Sequence, residues 1–485
     1  MSDKIINSAI AGSASDRGSD AFASSGADDR LDQLLQRTAR AGVHLGLAQI
    51  EQLLARLGNP HHAVPIVHVA GTNGKGSVCA YLAAVLTQAG YRVGRYTSPH
   101  LVSWTERICI DEVPIDAETL HDILCSAAET AAAHALAPTQ FELITAAAWL
   151  HFAQQAVDIA VVEVGLGGRL DATNVCDRPL ATAITSIGRD HWQRLGPTLA
   201  DIAGEKAGIL KPGVPAVVAP VPKEAAAVIA ERSREVGCPL IWVSPAAPAP
   251  AYNLQSGPQN GPKRGQTWAK FLPPSNDFSP ITYPLALLGP HQYANSAVAI
   301  ALLQLLQRQG WSISTQDMQV GMGKTRWPAR LQWTSWQGVP LLIDGAHNAE
   351  AARALRQYID RYIEEQTAQR RVSDKATANP APTCWVIGML SNKDHPEVLS
   401  ALLRPGDRVC FVPVPGHQTA DPENLMRDAQ DRCAASEVVT AKDGFLGLDW
   451  AVRVAKACPE PPPVVLCGSI YLIGSMMARS RALAF

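Results

Sequence analysis

"HVAGTNGKGSVCAYL", His68 to Leu82, is the stretch that decides the fold of this chain. An apolar run stops at glycines and a lysine, then reopens as a helical pattern, which is the layout of a nucleotide loop between a buried strand and a helix. The usual loop reads G-x-x-x-x-G-K-[ST], and the hydroxyl after the lysine ligates magnesium. Here Gly76 follows Lys75, and a hydroxyl arrives only at Ser77. Glycines let backbone N–H groups converge, the helix N-terminus adds positive potential, and Lys75 reaches toward β- and γ-phosphates. A plain glycine-rich turn would share the glycines but has no use for the lysine. The loop predicts ATP binding, with the metal held mainly by other residues.

Outward from the loop, apolar runs alternate with helical patterns, the signature of α/β layering around a mostly parallel sheet. Residues 65–71, 158–165, 180–188 and 215–220 read as buried strands, and 75–90, 141–156 and 223–237 as helices. The alternation breaks over 245–280, dense in Pro, Gly, Asn and Gln, which reads as an irregular excursion with a few short strands. Helical periodicity returns at 293–310. A second α/β series starts near 339, with strands in "VPLLIDGAH", "TCWVIGML", "RVCFVPV" and "PPVVLCGSIYLIG". The fold class is α/β in two domains. An N-terminal P-loop ATPase-type domain, a mostly parallel sheet flanked by helices, covers 30–323. A hinge covers 324–330 within "GMGKTRWPAR", and a smaller Rossmann-like domain covers 331–485. The Ser-, Ala-, Gly- and Asp-rich segment 1–29 reads as a disordered tail with no secretory signal.

At 485 residues and 47% hydrophobic, the chain is long enough for two or three cores. Its 42 basic and 44 acidic residues leave a net charge of -2, which gives no electrostatic footprint for nucleic acid or an anionic membrane surface. No apolar run reaches the ~18 residues of a membrane helix. Ten scattered cysteines without a C-x-x-C pair read as reduced thiols in a cytoplasmic protein.

Chemistry-bearing residues recur where strands end. Glu163 leaves the apolar strand of "VVEVGLGGRLDATN", the position of ligands in open parallel sheets, and its carboxylate suits magnesium; it equally suits a helix cap. Asp190 and His191 follow another buried strand, and Ser98 of "TSPHL" offers a hydroxyl at the same edge, or simply ends a strand in a Ser-Pro turn. Lys206 in "IAGEKAGILKPG" reads either as functional or as a solvated helix lysine paired with Glu205. In the second domain, Asp344 and His347 lie just beyond a strand, where Asp344 accepts from ribose hydroxyls or caps a helix. Arg330, in the hinge, reaches a γ-phosphate when the domains close.

Together "GTNGKGS", "TSPHL", "FE" at 141–142, "EVGLGGRLDATN", "DHWQRLG", "GEKAGI", "NSA" at 295–297, "IDGAHN" and "GMLSNKD" resemble the folylpolyglutamate synthase family, in its order, across about residues 30–485. That family is related to the muramyl-peptide ligases, whose central domain 30–323 would match. The resemblance implies an ATP-dependent amide ligase that adds L-glutamate to dihydropteroate and to reduced folates through an acyl phosphate. It implies a phosphate loop at Thr72, Asn73, Gly74, Lys75, Gly76 and Ser77, with Asn295, Arg330, Asp344 and His347 also on ATP. It implies two Mg²⁺ ions near Ser77, Ser98, Glu163 and His191, a carbamylated Lys206, and a pterin site at Thr139, Gln140, Phe141, Glu142 and Leu170. Lys75, His191, Lys206 and Arg330 would be catalytic, and the protein a monomer. The alternative is a muramyl-peptide ligase acting on a cell-wall precursor.

Overall fold

The computed structural model describes residues 26–39, 46–250, 267–371, 382–430, 437–458, 461–480 and 482–483. The first sheet has eight strands: β1 (Ile66–Ala70), β2 (Val93–Tyr96), β3 (Ile108–Ile110), β4 (Val113–Pro114), β5 (Ile159–Glu163), β6 (Ala181–Ile184), β7 (Ala216–Val218) and β8 (Leu240–Trp242). Their order is β4-β3-β2-β5-β1-β6-β7-β8, with only β3 and β4 antiparallel to their neighbours. β1 lies between β5 and β6, and all five of its residues are buried. Helices cover both faces, so its strands are apolar throughout rather than alternating. The loop thus leaves the carboxyl end of a central strand, where parallel sheets bind ligands.

The helix Lys75–Gln88 is buried nearly all round because it runs between the sheet and the helices His291–Arg308 and Thr315–Lys324. Gly321 makes this packing possible, since a Cβ there would lie 2.5 Å from the Val85 Cα. On the opposite face, the helix Gly26–Ala39 buries Leu31 and Leu35, and Asp32 accepts from the Trp104 indole at 2.7 Å. Burying two leucines contributes about 1.5–3 kcal/mol each. This helix starts inside the tail expected over 1–29, because Leu31, Leu34 and Leu35 form a helical stripe that the polar composition before them masks; residues 1–25 lie outside the described residues.

The Pro- and Gln-rich excursion contributes β9 (Ala247–Ala249), β10 (Thr267–Phe271) and β11 (Ile281–Leu285), a small antiparallel sheet beside the first; 251–266 lie outside the described residues. Residues 325–331 then lead to the second sheet: β12 (Gln332–Trp336), β13 (Val339–Ile343), β14 (Cys384–Ile387), β15 (Arg408–Phe411), β16 (Glu437–Thr440) and β17 (Val464–Cys467). Its order is β12-β13-β17-β14-β15-β16, parallel except at β12. The stretch "PPVVLCGSIYLIG", expected as one strand, splits. Gly468 turns the chain at φ +100°, and the Ser469 side chain accepts from the Tyr471 N–H to start the helix Ile470–Arg479.

Candidate active site

The loop after β1 is sewn to the end of β6. Thr72 N donates to Ser186 O at 2.9 Å, Asn73 N donates to Ser186 Oγ at 2.9 Å, and Thr185 Oγ1 donates to Asn73 O at 2.6 Å. Gly74, at φ +87°, caps the helix, and a Cβ there would collide with Asn295 Oδ1 at 2.3 Å. Asn295 is itself fixed by donating to Gln292, whose amide donates to Ser77 Oγ at 3.2 Å.

Gly76 has a specific neighbour. A Cβ there would lie 2.6 Å from the Trp327 ring, and the same indole sits 5.0 Å beneath the Arg95 guanidinium. Trp327 occupies the space that a hydroxyl-bearing side chain at position 76 would need. Gly76→Ser is therefore expected to displace the loop or Trp327 and lower kcat by about tenfold or more, on the scale of misplacing a reacting group by ~1 Å. Steady-state kinetics check this, and unchanged turnover would show that the contact is easily relieved.

Two lysines converge on one carbonyl. Lys75 Nζ donates to Gly71 O at 3.1 Å and to Thr72 O at 3.2 Å, while Lys206 Nζ donates to Gly71 O at 2.9 Å. Lys206 is buried, not solvated, and Glu205 is bound instead by Arg169 at 2.7 Å. Burial, then the neighbouring Lys75 charge, pushes the Lys206 amine down to about 7.

Glu163 ends β5 beside Val69 of β1. Its Oε2 accepts from Ser98 N at 3.1 Å, and Oε1 stands 3.9 Å from Lys75 Nζ. Burial raises its carboxyl above the usual range, against the pull of Lys75. A buried carboxylate with a distant cation fits a magnesium ion, which prefers oxygen donors. Ser77, Ser98 and His191 share the cavity wall with it; partial desolvation in the cavity lowers His191, against the pull of Asp190, although its side chain is 45% exposed. Among the described residues no three His, Cys, Asp or Glu side chains gather as a metal cluster, so hydroxyls and substrate oxygens would have to complete the set.

The second domain closes over this edge. Asp190 Oδ1 accepts from Lys393 Nζ at 2.9 Å, and its Oδ2 lies 3.2 Å from the donating Asn348 amide and 3.5 Å from His347 Nε2. Burial opposes the charge, yet the contacts to His347 and Lys393 hold the Asp190 carboxyl well below the usual range. Asn348 exchanges amide hydrogen bonds with Asn73, which also donates to Glu350 at 2.8 Å. Asp344 uses both oxygens on backbone, accepting from Leu331 N and Ala346 N at 2.9 Å each. Arg330 packs against Gly345 and, like Asp344 and His347, lines a cavity of about 670 Å³ that also holds the loop, Glu163 and Lys206.

The expected pterin segment sits elsewhere. Thr139 and Glu142 form a capping box for the helix Gln140–Gln154, Gln140 donates to Leu35 O, and Leu170 is half-buried; none is on this cavity's wall. Phe141 comes nearest, its ring packed where a Cβ of Gly165, a wall residue, would be. Lys393 and Glu350 carried no assigned role in the sequence; only the "GMLSNKD" motif signalled the first, and nothing local signalled the second.

A family profile described as dihydrofolate synthetase, C-terminal domain, matches residues 329–479, and one described as Mur ligase middle domain matches 69–303. The dihydrofolate synthetase of Saccharomyces cerevisiae is 33% identical over 453 residues, covering 90% of this chain and 97% of that one. The chain belongs to the dihydrofolate synthase/folylpolyglutamate synthase family. The dihydrofolate synthase/folylpolyglutamate synthase of Escherichia coli is 32% identical over 438 residues, covering 90% of this chain and 91% of that one. Among solved family structures, Mycobacterium tuberculosis folylpolyglutamate synthase complexed with ADP superposes with a TM-score of 0.80 at 27% identity, covering 95% of this chain and 99% of that one. Escherichia coli FolC in complex with DHPP and ADP superposes at 0.73 and 26%, covering 94% and 98%.

Proposed function

We propose that this cavity joins L-glutamate to the carboxylate of dihydropteroate and to the γ-carboxylate of reduced folates, converting ATP to ADP and phosphate. The observation that carries the reading is the facing of Lys75 and Glu163 on one domain against Arg330 of the hinge and Asp344 and His347 of the other domain across one cavity. Residues 30–323 and 331–485 act as the two domains, hinged at 324–330.

A carboxylate is a poor electrophile, so the amide requires activation. The substrate carboxylate attacks the γ-phosphorus in line, ADP leaves, and an acyl phosphate forms. Glutamate's amine then attacks the acyl carbon, losing a proton as phosphate departs. Lys75 moves from the loop carbonyls to the phosphates, and Arg330 neutralises charge from the opposite wall. Asn295, Asp344 and His347 hold the nucleotide. Magnesium, when bound by Glu163, Ser98, His191 and Ser77, supplies charge neutralisation on the phosphates. Lys206, neutral above about pH 7, adds CO₂ and loses a proton to give a carbamate anion that supports a second cation. Thr139 to Glu142 and Leu170 would serve the pterin through Phe141 and Gly165, beyond the wall of the main cavity.

Glu163→Gln keeps the shape and removes the charge, so half-saturation by Mg²⁺ is expected to rise about tenfold, roughly 1.4 kcal/mol. An unchanged metal titration would leave Glu163 as a Ser98-capping group only. Phosphate release should require both glutamate and the pterin substrate; release without either would indicate a simple ATPase. The muramyl-ligase alternative is weaker, since the Mur match covers only the middle domain whereas folate-ligase relatives match nearly end to end. No helix among the described residues is long and apolar enough to cross a membrane, and the nine described cysteines are free. The monomeric state rests on the family resemblance.

A further inference from the structure

The segment from Thr97 to Arg107 carries Ser98 at one end and is unusually self-contained. Thr97 N donates to Arg107 O at 3.0 Å, closing its base. The Glu106 carboxylate accepts from the backbone N–H groups of Leu101, Val102 and Ser103 at 2.7–2.8 Å, fixing its tip. Arg107 donates to His100 Nδ1 at 3.0 Å and lies 4.3 Å over the Trp104 ring. A loop so braced moves as a unit.

This unit rests on the second domain at one backbone contact. The Leu101 carbonyl points at Gly474, in the buried face of the helix Ile470–Arg479; a Cβ on Gly474 would stand 1.7 Å from the Leu101 oxygen and 2.6 Å from its carbon. Real Cβ atoms essentially never come within 3.0 Å of such a neighbour, so the loop or the helix would shift by more than 1 Å. Both contacting groups are backbone and cannot swing aside. The Leu101 side chain packs on the second domain's core, and Tyr471, one turn earlier on the same helix, lines the cavity and stacks on His417 at 4.0 Å. Gly474 has ordinary helical geometry, being absent from the positive-φ positions, so its own backbone does not require glycine.

We infer that Gly474 is a positioning residue: a notch in the second domain that seats the Leu101 carbonyl and thereby sets Ser98 against Glu163. Ser98 lies three residues from Leu101, a span of at most about 10 Å of chain, and its N–H already holds the Glu163 carboxylate. A displacement at the notch passes directly to that pair. Closure of the second domain is thus linked to the geometry of the magnesium-binding edge through backbone contact. The inference rests on the reading of Ser98 and Glu163 as metal ligands for its functional consequence, but not for the docking itself.

Gly474→Ala tests it in the full-length protein. Alanine suits a helix interior better than glycine, so a merely structural helix position would leave the thermal midpoint unchanged or raised. The expected result is faster amide exchange across 98–107 in hydrogen-exchange mass spectrometry, with Mg²⁺ half-saturation raised about tenfold. Glu106→Ala, which loosens the loop without touching the second domain, should give the same exchange and metal shifts, and it serves if the first variant fails to fold. Unchanged exchange at 98–107 in Gly474→Ala, with Glu106→Ala showing that the assay detects a loosened loop, would overturn the docking. Faster exchange with an unchanged Mg²⁺ titration would overturn the link to the metal edge, and the Glu163→Gln titration separately tells whether the ligand reading has failed.

Discussion

Lys75→Ala lowers ATP-dependent ligation by about 10³-fold or more, the scale seen when a preorganised charge on a transferring group is removed. The loss falls on turnover, because the ammonium acts most strongly on charge that develops as the γ-phosphoryl leaves ADP. Folding should survive. The side chain is largely enclosed at the loop, but its hydrogen bonds go only to two backbone carbonyls, Gly71 O and Thr72 O, and Gly71 O keeps the Lys206 amine at 2.9 Å. The loop is held independently by Thr185, Ser186 and Gly188. Circular dichroism and single-turnover assays check the two halves, and retained turnover would end the phosphate role of Lys75.

Lys206→Ala is the second large effect, with ligation falling about 10²-fold and largely returning when a short carboxylic acid is added to occupy the carbamate's place. Failure of that rescue would count against the carbamate. The pH dependence has a definite sign. The folded-state value of about 7 lies below the unbound 10.5, so between those limits the unfolded chain holds the extra proton. Wild-type stability attributable to this group therefore falls as pH drops from about 10.5 to 7 and levels off below. In CO₂-free buffer, Lys206→Met, which removes the charge and keeps the bulk, should gain thermal stability relative to wild type toward pH 6 and lose that advantage toward pH 10. A difference independent of pH would mean that the amine is not depressed.

Local chemistry explains what could be read from the chain and what could not. The phosphate loop was legible because a buried strand, glycines, one lysine and an apolar helix are consecutive, and Glu163 because a carboxylate ends an unbroken apolar strand. Lys206 was ambiguous because its sequence neighbours permit an exposed helix face. Its burial comes from the Gly168 turn packing on that helix, where a Cβ would meet Glu205 O at 2.7 Å. Trp327 occupies the space beside Gly76, yet the two are 251 positions apart in the chain, and no local pattern links them. The contacts of Asp190 with Lys393, and of Asn73 with Glu350, arise only from the way two separately folded sheets meet. The strand expected through "PPVVLCGSIYLIG" failed at Gly468, since an apolar run does not distinguish strand from buried helix without its cap.

The central claim is tested most directly by product mass analysis after incubating the full-length protein with ATP, Mg²⁺, L-glutamate and either dihydropteroate or tetrahydrofolate. The account predicts that each pterin gains the mass of a glutamyl residue, with one ADP formed for each amide and no gain for the Lys75→Ala variant. ATP consumed with neither pterin changed in mass would contradict it.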